Sequence, residues 1–327
     1  KTMTYDLVSV CDIKLDTFVV LESASIQCEL KERECLLCLP YGAKLTVKTF
    51  EPQMAGSAPN VAVGLRRLGL KTAVASIVGH DATAHLAQQE LKKERVGRDY
   101  IQEDRKAKSS FSIVLLYRGE RTMLTSHSPH HYRLTRCPPT KWIYVSELGD
   151  DYQDLYQDVV AHVKSKKIKL ALNPGTVQIR AGARKLTSIL KQTEVLFVNK
   201  EEGHLLLREE DHFDMPRLIR TLWKAGPSTV VLTDGARGAY AFDGGSIYTV
   251  GSFPAHKLET TGAGDSFAAA FMASRIHGKD LQEGLRWGAV NSASVISIVG
   301  PQPGLLHRAE IERRLKAHPE FKTREIK

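Results

Sequence analysis

The sequence predicts an α/β protein: a doubly wound, mainly parallel sheet with helices on both faces and a small β-sheet lid. Two patterns in the 327 residues predict it. From about residue 57 onward, short apolar runs alternate with amphipathic helical stretches, the rhythm of a parallel sheet covered on both sides. Before that point, and again over 109–127, strand-like pieces follow one another without helices between them, which predicts a separate small sheet.

Taken in order, "YDLVSV" (5–10) reads as the first buried strand. "SIQCEL", "ECLLCLP" and "AKLTVKTF", between residues 25 and 50, predict a small antiparallel sheet. "SAPNVAVGLRRLG" reads as a helix opened by Ser57, with Pro59 in its first turn and Gly69 near its end. "TAVASIVG" is a strand, and "DATAHLAQQELKKERVG" a helix with Asp81 as N-cap. "SSFSIVLLYRGERTMLTSH" (109–127) reads as a hairpin turning at Arg118-Gly119-Glu120 and joining the early sheet. The alternation resumes with strands "WIYVSEL", "IKLALN", "EVLFVN" and "STVVLTDG", then a late hairpin of "GAYAF" and "SIYTV". "GAGDSFAAAFMASRIHG", "LQEGLRWGAVNSASVISIVG" and "RAEIERRLKAH" close the chain as helices. No repeat, low-complexity tract or linker interrupts it, so 1–327 reads as one domain with a lid from about 17–50 and 109–127.

Composition removes several function classes. A hydrophobic share of 42% and a charged share of 25% suit a globular chain with a sizeable core. No apolar run is long enough to span a bilayer, and "KTMTYDLVSV" does not read as a signal peptide. No membrane role and a cytoplasmic location are expected. The net charge of +9 would draw anions. Its basic residues sit in stretches such as "KSKKIK" (164–169), without interleaved aromatics, so nucleic acid is not indicated. Cys11, Cys28, Cys35, Cys38 and Cys137 are too few and scattered for a disulfide framework. Cys35 and Cys38 have CxxC spacing on a strand-like run, where an offset of three points them to opposite faces, against a metal or redox role.

The chemistry concentrates in "ETTGAGDSFAAAF" (259–271). Gly262 and Gly264 let the backbone turn tightly and approach a ligand, and the residues that follow favour helix. Free N–H groups at such a helix start make an anion site. Asp265, in the first turn, can take a proton from a hydroxyl attacking a phosphoryl group, or simply cap its helix. Asn199 and Glu202 in "VNKEEG" are oxygen ligands for magnesium-bound water and phosphate, or an ordinary acidic helix start. Thr233, Gly235 and Gly238 in "LTDGARGAYAF" form a turn that passes close to a nucleotide, or a plain β-turn. At another loop-to-helix junction, Gly56 and Asn60 meet a hydroxylated ligand, or Asn60 bonds local backbone.

Together these motifs resemble the PfkB family of ribokinase-like carbohydrate kinases, from the first strand to at least Asn291. "AGSAPNVAVGLRRLG" followed by Gly79 resembles the family's amino-terminal signature, and "TTGAGDSFAAAF" its carboxy-terminal one. "NKEE" (199–202) is similar to its N-x-x-E motif, "TDGARG" (233–238) to its nucleotide loop, and "LNPG" (172–175) to a further segment. The resemblance implies transfer of the ATP γ-phosphoryl, with Mg2+, to an alcohol of a sugar or related compound. It implies Asp265 as general base and the amides of Gly262, Ala263 and Gly264 as anion hole. Asn199 and Glu202 would organise phosphates and magnesium, Glu202 through water; Thr233, Gly235 and Gly238 would lie along the nucleotide, and Asn291 near its base. On the acceptor side, "VCDIKLD" makes Asp16 the hydroxyl binder, joined by Gly56 and Asn60, with Lys14 and Glu147 beside them.

Three positions depart from the family pattern. Glu259 stands where Asp usually precedes Thr-Thr-Gly, a position that helps form a monovalent-cation (K+) site in several members. Lys14 replaces an Asn common in ribose-specific members, and Ala55 the first of two glycines. Lys14 and Arg121 suit an acidic or phosphorylated acceptor, or else a salt bridge. His127, His130 and His131 are candidates to touch the acceptor from the lid, or exposed loop histidines. A nucleoside kinase of the same superfamily is the nearest rival. A non-catalytic sugar or nucleotide sensor would not need Asp265 and both glycines. Unpaired lid edges make a homodimer through the lid an expectation.

Overall fold

The structure, a computed structural model, describes residues 4–28, 35–49, 52–118, 120–208 and 214–326. Gly119, the expected hairpin tip, lies outside the described residues, as do 29–34 between the first two expected lid strands. The first ten strands are β1 (Tyr5–Val10), β2 (Lys14–Leu21), β3 (Ser25–Cys28), β4 (Cys35–Cys38), β5 (Val47–Thr49), β6 (Gln53–Ala55), β7 (Thr72–Gly79), β8 (Gly97–Asp104), β9 (Ser110–Tyr117) and β10 (Glu120–Ser126). They continue as β11 (Thr140–Val145), β12 (Lys169–Leu172), β13 (Thr193–Asn199), β14 (Thr229–Thr233), β15 (Ala239–Phe242), β16 (Ile247–Val250) and β17 (Arg324–Ile326). The helices are α1 (Ser57–Arg67), α2 (Ala82–Lys93), α3 (Gln153–Lys166), α4 (Thr176–Ala181), α5 (Thr187–Leu190), α6 (Lys200–Leu207), α7 (Met215–Lys224), α8 (Ala263–Ile276), α9 (Leu281–Val295) and α10 (Arg308–Ala317).

Ten strands form one sheet, ordered β17-β16-β15-β14-β13-β12-β11-β1-β7-β8. From β8 to β14 all pairings are parallel; β15, β16 and β17 add an antiparallel margin. The parallel strands are apolar on both faces because both are covered. Leu7, Tyr144, Ala171, Phe197 and Val231 pack with α1, α8, α9 and α10 on one side. Their neighbours Val8, Ile143, Leu170, Leu196 and Val230 pack with α2, α3 and α7 on the other, as the two-residue period of a strand requires. The chain winds from β1 outward through β7 to β8, then returns to the far side of β1 at β11. That reversal opens a crevice beyond the carboxyl ends of β1 and β11, where ligands bind in such sheets.

The lid sheet runs β10-β9-β2-β5, with β6 also on β2. It begins at Lys14 rather than 17 and takes in Gln53–Ala55. β2 and β9 are parallel, which the long connection through β7 and β8 permits. The antiparallel sheet expected from 25–50 is therefore corrected: β3 and β4 pair with each other, and β5 joins β2. Cys28 and Cys35 oppose each other in the β3–β4 hairpin and form a disulfide. Sequence spacing did not reveal it, because the bond depends on Cα approach across the hairpin. No helix among the described residues is long and apolar enough to cross a membrane.

Candidate active site

The sequence-derived residues gather where strands end and helices begin around that crevice. Gly262 caps α8 with φ 78°, and a Cβ there would lie 2.6 Å from Pro301 Cβ, so both conformation and space demand glycine. Gly264 is different: it is exposed, with nothing within 4 Å of a Cβ. Protein packing gives no reason for glycine at 264; room for a ligand does. The three-amide anion hole needs one correction. Ala263 N–H donates to the Thr260 carbonyl at 3.2 Å, closing the turn, whereas the Gly264 N–H in the first helical turn has no partner within the helix.

Asp265 Oδ2 accepts a hydrogen bond from Asn60 Nδ2 at 2.8 Å, and the Ser57 hydroxyl also bonds the carboxylate. Burial pushes the Asp265 carboxyl above its ordinary range, against these two donors and the charge of Arg121. Asn60 is steadied from behind by Gln302 Nε2, 2.9 Å from its Oδ1. Ser57 does not cap α1, as its type and place suggested. Gly56 does, with φ 102° and so near the Asp12 carbonyl that a Cβ would stand 2.4 Å from it. The Ser57 hydroxyl is thereby left for Asp265.

On the acceptor side, Asp16 is buried and its Oδ1 has no hydrogen-bond partner. Burial raises its carboxyl to about 6, although Ser112 bonds it. A buried unpaired carboxylate oxygen is costly, and a ligand hydroxyl donating to it would remove that cost. Lys14 is also buried, its Nζ 2.8 Å from Glu147 Oε2. Glu147 Oε1 faces His127 Nε2 at 3.3 Å, and His127 Nδ1 lies 2.9 Å from Asp12 Oδ2. Burial works to raise the Glu147 carboxyl, but His127 and Lys14 outweigh it and hold the group at about 2. Arg121 of β10 reaches Glu259 Oε1 at 3.5 Å. Both cations that suited an acidic acceptor are thus in ion pairs. Of the other lid histidines, His130 is fully buried against Tyr132 and not an exposed loop residue, while His131 is exposed.

At the end of β13, Asn199 and Glu202 form a reciprocal capping box. Glu202 N–H donates to Asn199 Oδ1, and Asn199 N–H to Glu202 Oε2, both at 2.8 Å. Burial raises the Glu202 carboxyl, and the charges of Asp265 and Glu147 add to it. No group of three or more metal-ligating side chains occurs among the described residues. One carboxylate with an oxygen to spare fits magnesium that arrives on phosphates and keeps most of its waters, and does not fit a protein cage. Glu259 does not fit a monovalent cation: its carboxylate accepts from Thr261 N–H and Gly300 N–H and faces Arg121. Both of its oxygens are thus engaged by donors.

The nucleotide-side residues are less gathered. Thr233 ends β14, and Gly235 opens the exposed turn Gly235–Arg237. Gly238 is glycine for a packing reason: a Cβ would stand 1.9 Å from the Val250 carbonyl of β16. Asn291, expected near the base, has its amide engaged by the protein itself. It is fully buried, donating to the Ser266 carbonyl at 2.8 Å and accepting from Leu306 N–H at 3.0 Å. Its amide therefore ties α8 to the chain after α9. Asp12, two residues past β1, was overlooked in the sequence. Its Oδ2 also accepts from Tyr132 at 3.0 Å and Ser110 at 3.3 Å. Its signal was an acid just beyond the first buried strand. A recess of about 730 Å³ near Lys279, Lys322 and Arg286 lies outside this cleft, and its Arg286 is paired with Glu283 at 2.7 Å.

Residues 16–308 match the model of the pfkB family carbohydrate kinases. Ribokinase of Bacillus subtilis (strain 168) is 25% identical over 276 residues, spanning 82% of this chain and 89% of the relative. The structure of Arabidopsis thaliana ribokinase complexed with ribose and ATP aligns with a TM-score of 0.79 at 21% identity, over 96% of this chain and 99% of the other. A Methanocaldococcus jannaschii nucleoside kinase, described as an archaeal member of the ribokinase family, aligns with a TM-score of 0.73 at 19% identity, over 97% and 99%. The family match covers most of the length, with the Asp265 loop and Asn60 inside it. The chain belongs to the pfkB family of carbohydrate kinases and is a phosphotransferase with an alcohol acceptor.

Proposed function

We propose that the chain transfers the γ-phosphoryl of ATP to a hydroxyl of a neutral sugar, with residues 1–327 acting as one kinase domain beneath the lid. The observation that carries this reading is Asp265 held by Asn60 and Ser57 beside the open space at Gly264. In this reading the acceptor hydroxyl lies between Asp16 and Asp265. Its oxygen forms a bond to the γ-phosphorus, the bond to the β-bridging oxygen breaks, ADP leaves, and the hydroxyl proton passes to Asp265. The Gly264 N–H and the α8 dipole face the charge on the migrating group. Glu202 would hold magnesium through water, and the ion would supply further neutralisation of the phosphates. Thr233 and Gly235 line the nucleotide's side.

Charge supports a neutral acceptor. Asp12, Asp16, Glu147, Glu202, Glu259 and Asp265 are acidic, and the cations Lys14, His127 and Arg121 are all paired with carboxylates. An acceptor phosphate or carboxylate would find no free cation among them. Lid closure would also exclude water, which competes with the sugar hydroxyl. Exposed Ile26 and Leu36 on the β3–β4 hairpin, with Tyr41 just after it, support a homodimer through that surface, which sedimentation would test. The acceptor is tested by ADP release with neutral sugars, sugar acids, sugar phosphates and nucleosides. Turnover of neutral sugars alone is expected. Turnover of nucleosides alone would replace this reading with a nucleoside kinase, and turnover of acidic sugars alone would refute the charge argument.

A further inference from the structure

We infer that His127, on the chain leaving lid strand β10, is a positioning residue for the acceptor, bridging Asp12 and Glu147 so that Glu147 is held at the acceptor pocket only while the lid is seated. Both ring nitrogens face carboxylates, Nδ1 at 2.9 Å from Asp12 Oδ2 and Nε2 at 3.3 Å from Glu147 Oε1. A neutral imidazole has one N–H and one lone pair, so it would turn the lone pair toward an anion; the doubly protonated ring donates at both ends. The groups around it come from every neighbouring element. Asp12 follows β1, Lys14 lies on β2, Ser110 on β9, Tyr132 in the segment after β10, and Glu147 beyond β11. The Cys11 thiol adjoins Asp12 and is itself kept protonated by burial. Of these, Asp12 and Glu147 are acidic, and the Lys14 ammonium lies on the far oxygen of Glu147. The two donated hydrogen bonds raise the His127 ring to about 9, against the effects of burial and Lys14.

Glu147 is the hub through which this bridge acts. Its charge works to raise the carboxyls of Asp16, Asp265 and Glu202. Its carboxylate is pinned at both oxygens, by Lys14 from β2 and by His127 from the lid's other strand pair. If the lid lifts, His127 leaves Asp12 and Glu147, and Lys14, at the start of lid strand β2, is drawn with it, so Glu147 loses its anchors. Acceptor binding is thereby tied to lid position and to one proton.

This inference rests on the placement of the acceptor given above. The test is 15N NMR of histidine-labelled protein at pH 7.5, with the His127 ring assigned by its loss in His127→Gln, combined with kinetics on the fastest neutral sugar of the acceptor panel. A doubly protonated ring is expected, perturbed when that sugar binds. His127→Gln is expected to raise the acceptor KM ten-fold or more, with kcat and the ATP KM within two-fold of wild type. In the wild type the acceptor KM should also rise above pH about 9, a limb absent from the variant. A neutral ring overturns the inference whatever the acceptor is. A doubly protonated ring that ignores every panel acceptor overturns the acceptor placement, and the inference with it. An unchanged acceptor KM in folded His127→Gln overturns the positioning role alone. Should that variant not fold, the ring signal of the wild type, assigned by elimination, and the KM limb above pH 9 still decide.

Discussion

Replacing Asn60 with leucine asks whether the amide holding Asp265 acts on the base or only on packing. Asn60 Nδ2 donates to Asp265 Oδ2 at 2.8 Å, and its Oδ1 accepts from Gln302 at 2.9 Å. The first bond favours the ionised carboxylate, opposing the burial that raises it. A hydrogen bond to a charged group is worth about 1.5–3 kcal/mol, and each 1.4 kcal/mol is about ten-fold in the ratio of ionised to protonated base. On the acidic limb of the kcat profile, Asn60→Leu should therefore lose about ten- to a hundred-fold in rate, the limb moving toward neutral pH. At high pH, where Asp265 is ionised in either protein, the two rates should converge. Gln302 Nε2 keeps its bond to the Met54 carbonyl at 3.1 Å, so the stability cost should stay within about 1–2 kcal/mol. The assay is ADP release between pH 5 and 9, paired with thermal melts. A lowered melting temperature with an unmoved acidic limb would refute the argument and leave Asn60 a packing residue.

The anion loop gives a second contrast. Gly264→Ala should fold with wild-type stability yet lose most turnover, because its Cβ meets no protein atom and enters the space proposed for phosphate, whereas Gly262→Ala should lose both, since φ 78° and Pro301 oppose it. Equal melting temperatures for the two variants would contradict this. Asp16 provides a pH test with a defined sign. Its carboxyl is raised to about 6 from 3.8, so ionising it in the fold costs of order 2–3 kcal/mol. That cost is absent below pH 4 and fully present above 6. Asp16→Asn should thus raise the melting temperature at pH 8, have little effect near pH 4, and abolish acceptor binding; wild-type acceptor KM should climb as pH falls below 6. A variant no more stable at pH 8 than the wild type would remove the argument.

Much of the architecture was legible because buried parallel strands are written as apolar runs. "EVLFVN" and "STVVLTDG" can be covered on both faces only in such a sheet, and they become β13 and β14. The start of α8 was legible because glycine, carboxylate and small residues each have a local reason to be there. Properties fixed by distant approach were not. Gly56 caps α1 because the Asp12 carbonyl crowds it from another segment, which no local preference for serine reports. The parallel β2–β9 pairing, the Cys28–Cys35 disulfide and the β17 margin all join segments whose nearness is settled only by the whole fold. Asn291 shows the limit from the other side: its place in the chain suggested a ligand contact, yet two buried backbone groups take its amide. Asn199 and Glu202 carry a capping box that would be present whether or not phosphate binds, so their spacing alone was weak.

The most direct measurement is single-turnover phosphoryl transfer by Asp265→Asn, alongside calorimetric binding of nucleotide and acceptor to the same protein. The account predicts transfer slowed by about 10²–10⁴-fold with both ligands still bound, since the carboxylate acts on a proton that moves only as the new bond forms. Transfer at a near-normal rate would show that the carboxylate at 265 is a helix cap and that another group takes the proton.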